Sequence, residues 1–241
     1  MAKFISFCSQ KGGVGKTSIT THVATYFYQV ERVPVAIFDC DFPQHSLLSI
    51  RTSEKALLKS DPFLLKKAEK LGQMPYPIFA DSVVNTLPKL DAYRDKKELV
   101  LVDLPGTLNV EGMPGIIQRL DAAVLLLEAD PLSFESTMHT VLAMAKFSNK
   151  NGGMVPTYLL WNKFDSRERK DRYFNLEQAA MNYLESLNAS RKTPINVHFL
   201  EHRIPDTVAI KDTRSTLFPS PVIKPLIQEL NKIFASNSPT V

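Results

Sequence analysis

"SQKGGVGKTSIT", residues 9–20, is the stretch on which the reading of this chain turns. An apolar run, "FISFCS" (4–9), enters it, and a segment able to hold a helix (17–30) leaves it. Gly12, Gly13 and Gly15 let the backbone turn tightly with its N–H groups pointing inward. The helix that follows adds the positive end of its dipole. A glycine-rich turn between strand and helix, closed by Lys16 and Thr17, is an arrangement that cradles phosphates. Lys16 would reach the β- and γ-phosphates of a nucleotide, and the Thr17 hydroxyl would ligate Mg²⁺. Gly12, Gly13, Val14, Gly15, Lys16, Thr17 and Ser18 are therefore the candidate nucleotide-binding residues. Two features depart from the usual loop. Five positions before Gly15, where the first glycine is expected, stands Gln10, and the next position holds a second lysine, Lys11.

Outside the loop, the apolar runs are continuous rather than alternating. They are "VAIFDC" (35–40), "LVLVDL" (99–104), "AAVLLLEA" (122–129), "TYLLWN" (157–162) and "NVHFL" (196–200). Continuous runs of this length suit strands buried on both faces of a parallel sheet. Between them, residues 112–120, 134–150, 167–188 and 222–234 can hold helices, the last with apolar residues at helical spacing. Strands alternating with helices imply right-handed βαβ units. The expected fold is α/β, a mainly parallel twisted sheet with helices on both faces, built as a single domain over 1–241. Residues 50–98 are the least readable: "LKSDPFLLKKAEKL" looks helical, and "MPYPIFADS" suits a short edge strand.

Two carboxylates in "IFDCDFPQHS", Asp39 and Asp41, stand at the end of one apolar run. In open α/β sheets ligands bind at the carboxyl ends of strands. Alternation puts the two acids on one side, where they would repel unless a cation or proton sits near. A third acid, Asp103, ends "LVLVD" before a Pro-Gly turn, the place of the acid that holds the metal or its waters in a phosphate-loop NTPase. Thr17 and Asp103 are candidate metal ligands on this reading.

Together these pieces resemble the ParA/MinD family of ATPases with a deviant Walker A loop, and most closely the ParA-like partition proteins. "KGGVGKT" is the specific part, and "FDCDFPQHS" is similar to the family's Asp-x-Asp-Pro-Gln motif with one extra residue, Phe42. The resemblance implies a phosphate-loop NTPase fold, ATP/ADP and Mg²⁺ as ligands, and slow ATP hydrolysis. It implies that Lys11 reaches the phosphates held by the other subunit of an ATP-bound homodimer. It gives Asp41 the orienting of the attacking water and places Asp39 with Asp103 near the metal, so that Lys11, Lys16 and Asp41 are the expected catalytic residues and Thr17, Asp39 and Asp103 the expected metal ligands. "NKFDSRERK" (162–170) is similar to the segment that holds adenine, which points to Asn162 with backbone near Pro205.

The implied output is a dimerisation switch that segregates or positions DNA, with a small DNA-binding protein as partner. A membrane-positioning ATPase of the Min type needs a basic amphipathic tail, whereas this chain ends in the uncharged "FASNSPTV". An ATP-dependent ligase or synthetase of the same superfamily is the other rival. A member sharing an iron–sulfur cluster is excluded by the positions of the two cysteines, Cys8 before the loop and Cys40 between two acids. Two isolated cysteines, no signal-peptide pattern at "MAKFISFCSQ" and no apolar run of membrane-spanning length point to a cytoplasmic protein. The net charge, 29 − 25 = +4, permits nucleic-acid binding without requiring it. Residues 189–224 carry Arg191, Lys192, Arg203, Lys211, Arg214 and Lys224 against three acids, a basic surplus suited to non-specific backbone contact. Asp206 stands where partition relatives have an arginine after Ile-Pro, and no helix-turn-helix extension precedes Phe4. His22, His45 and His139 read as ordinary surface or helix residues, and Arg167 to Arg172 as a solvated helix start.

Overall fold

A computed structural model of the chain describes residues 1–72, 75–96, 98–147, 153–168, 170–207, 210 and 214–236. Seven parallel strands form one sheet: β1 (Lys3–Cys8), β2 (Val35–Asp39), β3 (Ile78–Ala80), β4 (Leu99–Asp103), β5 (Ala122–Leu127), β6 (Thr157–Trp161) and β7 (Val197–Phe199). Their order across the sheet is β3-β2-β4-β1-β5-β6-β7. The described helices are α1 (Lys16–Gln29), α2 (Ser46–Ser60), α3 (Pro62–Glu69), α4 (Val83–Tyr93), α5 (Met113–Arg119), α6 (Pro131–Met144), α7 (Lys170–Asn188) and α8 (Lys224–Ser236).

The continuous apolar runs are buried strands, as expected. In β1 alternate side chains serve opposite cores: Phe4 and Cys8 join one, Ile5 and Phe7 the other. The first core packs β1 under α4, α5, α6 and α7 through Leu90, Ile117, Val141 and Leu184. The second packs α1 and α8 against the other face through Ile19, Val23, Leu226 and Leu230. The terminal apolar stripe is thus docked on the body. Burial holds both thiols protonated, pushing Cys8 up to about 11 and Cys40 up to about 12.

The poorly readable region resolves into two halves. The helical stretch around Asp61 is two helices, because Pro62 cannot continue α2. Pro62 instead opens α3, and Asp61 caps it by accepting the N–H groups of Phe63 and Leu64. The edge strand is β3. Helix α4 escapes the sequence reading since Pro88 lies inside it.

Helix α2 is fastened to the far end of the chain. Arg51 is buried, donating to Thr216 Oγ1 (2.6 Å), the Thr216 carbonyl (3.3 Å) and the Tyr76 carbonyl (2.9 Å), with its guanidinium 4.7 Å from the Tyr76 ring centre. Glu54, one turn on, accepts the Thr216 N–H (3.0 Å) and both the Ser215 and Thr216 hydroxyls. Removing one partner of such a network leaves buried acceptors unpaired. Arg51→Ala is expected to lower stability by about 3 kcal/mol, read as a fall in the urea midpoint at unchanged slope.

Candidate nucleotide site

The site lies along the carboxyl edge of the sheet. Gly15 caps α1 in the left-handed region (φ 96°) and Gly13 shares that region (φ 72°). A Cβ on Gly15 would lie 2.8 Å from Nδ2 of Asn162, so only glycine fits there. The first turn of α1 carries no acidic residue, which leaves its positive end to an anion. Beside this loop lies a cavity of about 400 Å³ whose lining includes Gly12, Lys16, Thr17, Asp41, Gln44 and Arg214. The amine of Lys16 lies near Gly106, in the turn that leaves β4.

Strands β2 and β4 are paired so that Asp39 stands directly opposite Asp103. Both are fully buried. The Thr17 hydroxyl donates to Asp103 Oδ2 (2.9 Å). Asp39 Oδ2 accepts the N–H groups of Leu47 (3.0 Å) and Leu48 (3.3 Å), tying the first turn of α2 to the strand end. The other oxygen of each, Asp39 Oδ1 and Asp103 Oδ1, has no hydrogen-bond partner. Burial pushes the Asp103 carboxyl up to about 7, against the Thr17 hydrogen bond, and the Asp39 charge adds to the rise. Burial raises Asp39 too. Two buried acids with free oxygens, beside a threonine hydroxyl, are a hard oxygen set that fits Mg²⁺ when phosphates complete the shell. Among the described residues no group of three or more His, Cys, Asp or Glu is arranged to hold a metal alone. The expectation that strand alternation puts Asp39 and Asp41 on one side needs correcting. The strand ends at Asp39, so Asp41 lies past it, half-buried and facing the cavity, while Asp39 is sealed beneath.

A second cavity, of about 310 Å³, adjoins the first and is lined by Gly13, Ser18, Asn162, Lys163, Pro205 and Arg214 among others. Asn162 and Pro205 therefore line the same cavity. Asn162 also donates to the Val14 carbonyl (2.6 Å), so it closes β6 and holds the loop at once. The Ile204–Pro205 segment is brought alongside by a bridge from Phe164 to Pro205. Arg167 does not enter the cavity; it pairs with Asp165. His22 is not a surface residue: it is buried in α1 against the Ile210 carbonyl (3.1 Å), and burial lowers its pKa.

Lys11 lines neither cavity. Its amine is held within the chain by Glu128 (2.9 Å) and Asp130 (2.8 Å). Lys163 pairs with the other oxygen of Glu128 (2.6 Å) and donates to the Gly13 carbonyl (3.0 Å). The sequence reading missed this acidic pair, although it follows β5 at the same sheet edge as Asp39 and Asp103, and that position was the available signal. The basic surplus of 189–224 is not one face. Arg203 is tied to Glu177 (3.0 Å) and stacks over Phe164 and Tyr173, Arg214 borders the nucleotide cavities, and Lys211 lies outside the described residues.

The acids around Lys11 raise its pKa through direct hydrogen bonds, Asp130 first and Glu128 next. Glu128→Gln with Asp130→Asn removes both charges and keeps the Asp130 cap on α6. The Lys11 pKa is then expected to fall toward its ordinary value. At pH 9 its acylation by an amine-reactive reagent, followed by peptide mass spectrometry, is expected to speed up relative to Lys59.

Residues 5–216 match the CobQ/CobB/MinD/ParA nucleotide binding domain. No curated protein sequence matches the chain. Among solved structures, pNOB8 ParA bound to nonspecific DNA aligns over 99% of this chain and 100% of its own, at 17% identity and a TM-score of 0.59. Pyrococcus furiosus cell division ATPase MinD aligns over 97% and 100%, at 18% and 0.62. A Borrelia burgdorferi B31 protein named for plasmid partition, bound to AMPPNP, aligns over 98% and 99%, at 15% and 0.60. The α/β fold is that of the ParA and MinD phosphate-loop NTPases. With the family's domain matched over most of its length and the phosphate loop, strand-end acids and adjoining cavity in place, the chain belongs to the CobQ/CobB/MinD/ParA nucleotide-binding family.

Proposed function

We propose that the protein is a Mg²⁺-dependent ATPase that works as an ATP-driven dimerisation switch and segregates or positions DNA. The observation that carries the ATPase half is a cavity lined by Lys16, Thr17 and Asp41, with the Thr17 hydroxyl tied to the buried Asp103, Asp39 paired opposite it, and a second cavity adjoining. In this reading Thr17, Asp39 and Asp103 hold Mg²⁺. Bound there, the ion would offset phosphate charge and keep the buried acids ionised. Lys16 and the N–H groups of Gly12 to Thr17 bind the β- and γ-phosphates. Asp41, facing the same cavity, orients the attacking water. Asn162 and Pro205 border the base.

Lys11 acts on the nucleotide of the partner subunit, so it must first leave Glu128 and Asp130. The family likeness supports this role, and the distance of Lys11 from its own phosphate cavity agrees with it. Dimer formation and hydrolysis are then coupled, because the second cation arrives only with the partner. The whole of 1–241 works as one unit in the cytoplasm, with a small DNA-binding protein as the further partner. No described helix is long and apolar enough to cross a membrane.

Binding to the native state raises stability by mass action. Mg-ATP at ~100 times its Kd is expected to stabilise the wild type by about 2.7 kcal/mol and to leave Lys16→Ala unchanged, measured by thermal unfolding. Equal shifts in the two proteins would sink the nucleotide assignment.

The DNA half is tested with Asp41→Ala, which is expected to hold the ATP dimer without turnover. Its binding to a random duplex in a mobility-shift assay should need ATP, ignore sequence, and weaken at least about tenfold from low to moderate salt. Lys11→Ala is expected to lose both the dimer, by light scattering, and the shift. No shift at low salt would leave a protein-positioning switch as the reading.

A further inference from the structure

We infer that Arg214 is a nucleotide-contacting residue, gripping the joint between the ribose and the α-phosphate from within the same subunit. The inference rests on the nucleotide reading above and adds a residue that the phosphate loop, the strand-end acids and Asn162 do not supply.

Three observations carry it. The first is place. Of the residues lining the two adjoining cavities, Arg214 is shared by both, with Gly13, Gly15 and Ser18. One cavity holds Lys16, Thr17 and Asp41, the groups suited to β- and γ-phosphates; the other holds Asn162 and Pro205. A nucleotide laid across them has its ribose and α-phosphate where the lining is common. The second is anchorage. Arg214 carries an exposed side chain on a backbone that is pinned at the next two residues. The Ser215 carbonyl accepts the Thr25 hydroxyl (2.8 Å), and Thr216 is bound by Arg51 and Glu54 from α2. A side chain raised from a fastened backbone loses less freedom on binding than one on a loose loop. The third is chemistry. Guanidinium is a planar fork of five donors, suited to phosphate oxygens and hydroxyls. It faces a cavity whose loop wall is made of backbone N–H groups and a helix N-terminus, all of which favour an anion.

An exposed arginine is by default a solvated one. What separates Arg214 from that default is its sharing of both cavities together with the pinning of Ser215 and Thr216. Helix α2 enters through the same fastening, so the segment that carries Asp41 and Gln44 and the residue that grips the nucleotide are held by one element.

The test is the affinity of the full chain for unlabelled ATP, ADP and GTP with Mg²⁺, by isothermal titration calorimetry. The joint is common to all three, so Arg214→Ala is expected to weaken each by a similar factor, about tenfold or more for a charge-assisted contact. Arg214→Lys is expected to recover only part of the loss, since an ammonium keeps the charge and lacks the fork. Circular dichroism and the urea midpoint of both variants should match the wild type, because the anchoring bonds belong to Ser215 and Thr216. Unchanged affinity in Arg214→Ala would overturn the inference. So would a loss confined to ATP, which would move the contact to the γ-phosphate, or full recovery in Arg214→Lys, which would reduce it to a diffuse field. Failure of the wild type itself to bind any of the three would instead overturn the nucleotide reading on which the inference rests.

Discussion

A parallel sheet buried on both faces can meet a ligand only at the ends of its strands, and in open α/β sheets that place is the carboxyl edge. Every strand here runs the same way, and both faces are covered by helices. Backbone groups within the sheet satisfy one another, so polar side chains collect at the strand ends, with Asp121 paired to Arg94 at the amino edge and the loop and acids of the site at the carboxyl edge. The phosphate loop after β1, Asp39 after β2, Asp103 after β4, Glu128 after β5 and Asn162 after β6 all stand on that line. Their convergence is a consequence of sheet topology, since β1 is central between β4 and β5 and β2 lies next beyond β4.

Burial at that edge has an electrostatic effect. Asp103 and Asp39 are withdrawn from water and their carboxyl pKa values rise, that of Asp103 up to about 7. Each keeps one oxygen committed to the fold and one free. The Thr17 hydroxyl holds the committed oxygen of Asp103, and the α2 N-terminus holds that of Asp39. Asp39 Oδ1 faces His45 Nδ1 at 3.8 Å, beyond hydrogen-bond distance, and Asp103 Oδ1 has no hydrogen-bond partner, so under the proposed function these are the oxygens left to a cation.

The basic residues around the loop divide into two groups. Lys11 and Lys163 are engaged by Glu128 and Asp130, while Lys16 and Arg214 border the cavity. The first group balances its own charge inside the subunit. The second leaves positive potential where the α1 dipole already adds to it. The loop between them keeps its shape because Asn162 fills the space that a Cβ at Gly15 would need.

The sequence by itself determined the local chemistry. Gly12, Gly13, Gly15, Lys16 and Thr17 between an apolar run and a helical one specify a turn with a definite ligand class, and Asp39 and Asp103 at run ends specify acids beside it. The apolar runs and the α8 stripe were legible because burial imposes a period or a continuity that survives in one dimension. Helix α4 was hidden by Pro88, a residue whose intrinsic preference tertiary packing overrode. Only the tertiary structure decided the partners. Lys11 meets Asp130 across 119 residues, Asn162 meets Val14 across 148, and Thr25 meets Ser215 across 190. No local pattern encodes such pairs, since each depends on which strand lies beside which. The same reason kept Arg214 out of the nucleotide site in the sequence reading, which counted it in the basic surplus of 189–224; its place beside the cavities follows from the fastening of Ser215 and Thr216 by α1 and α2.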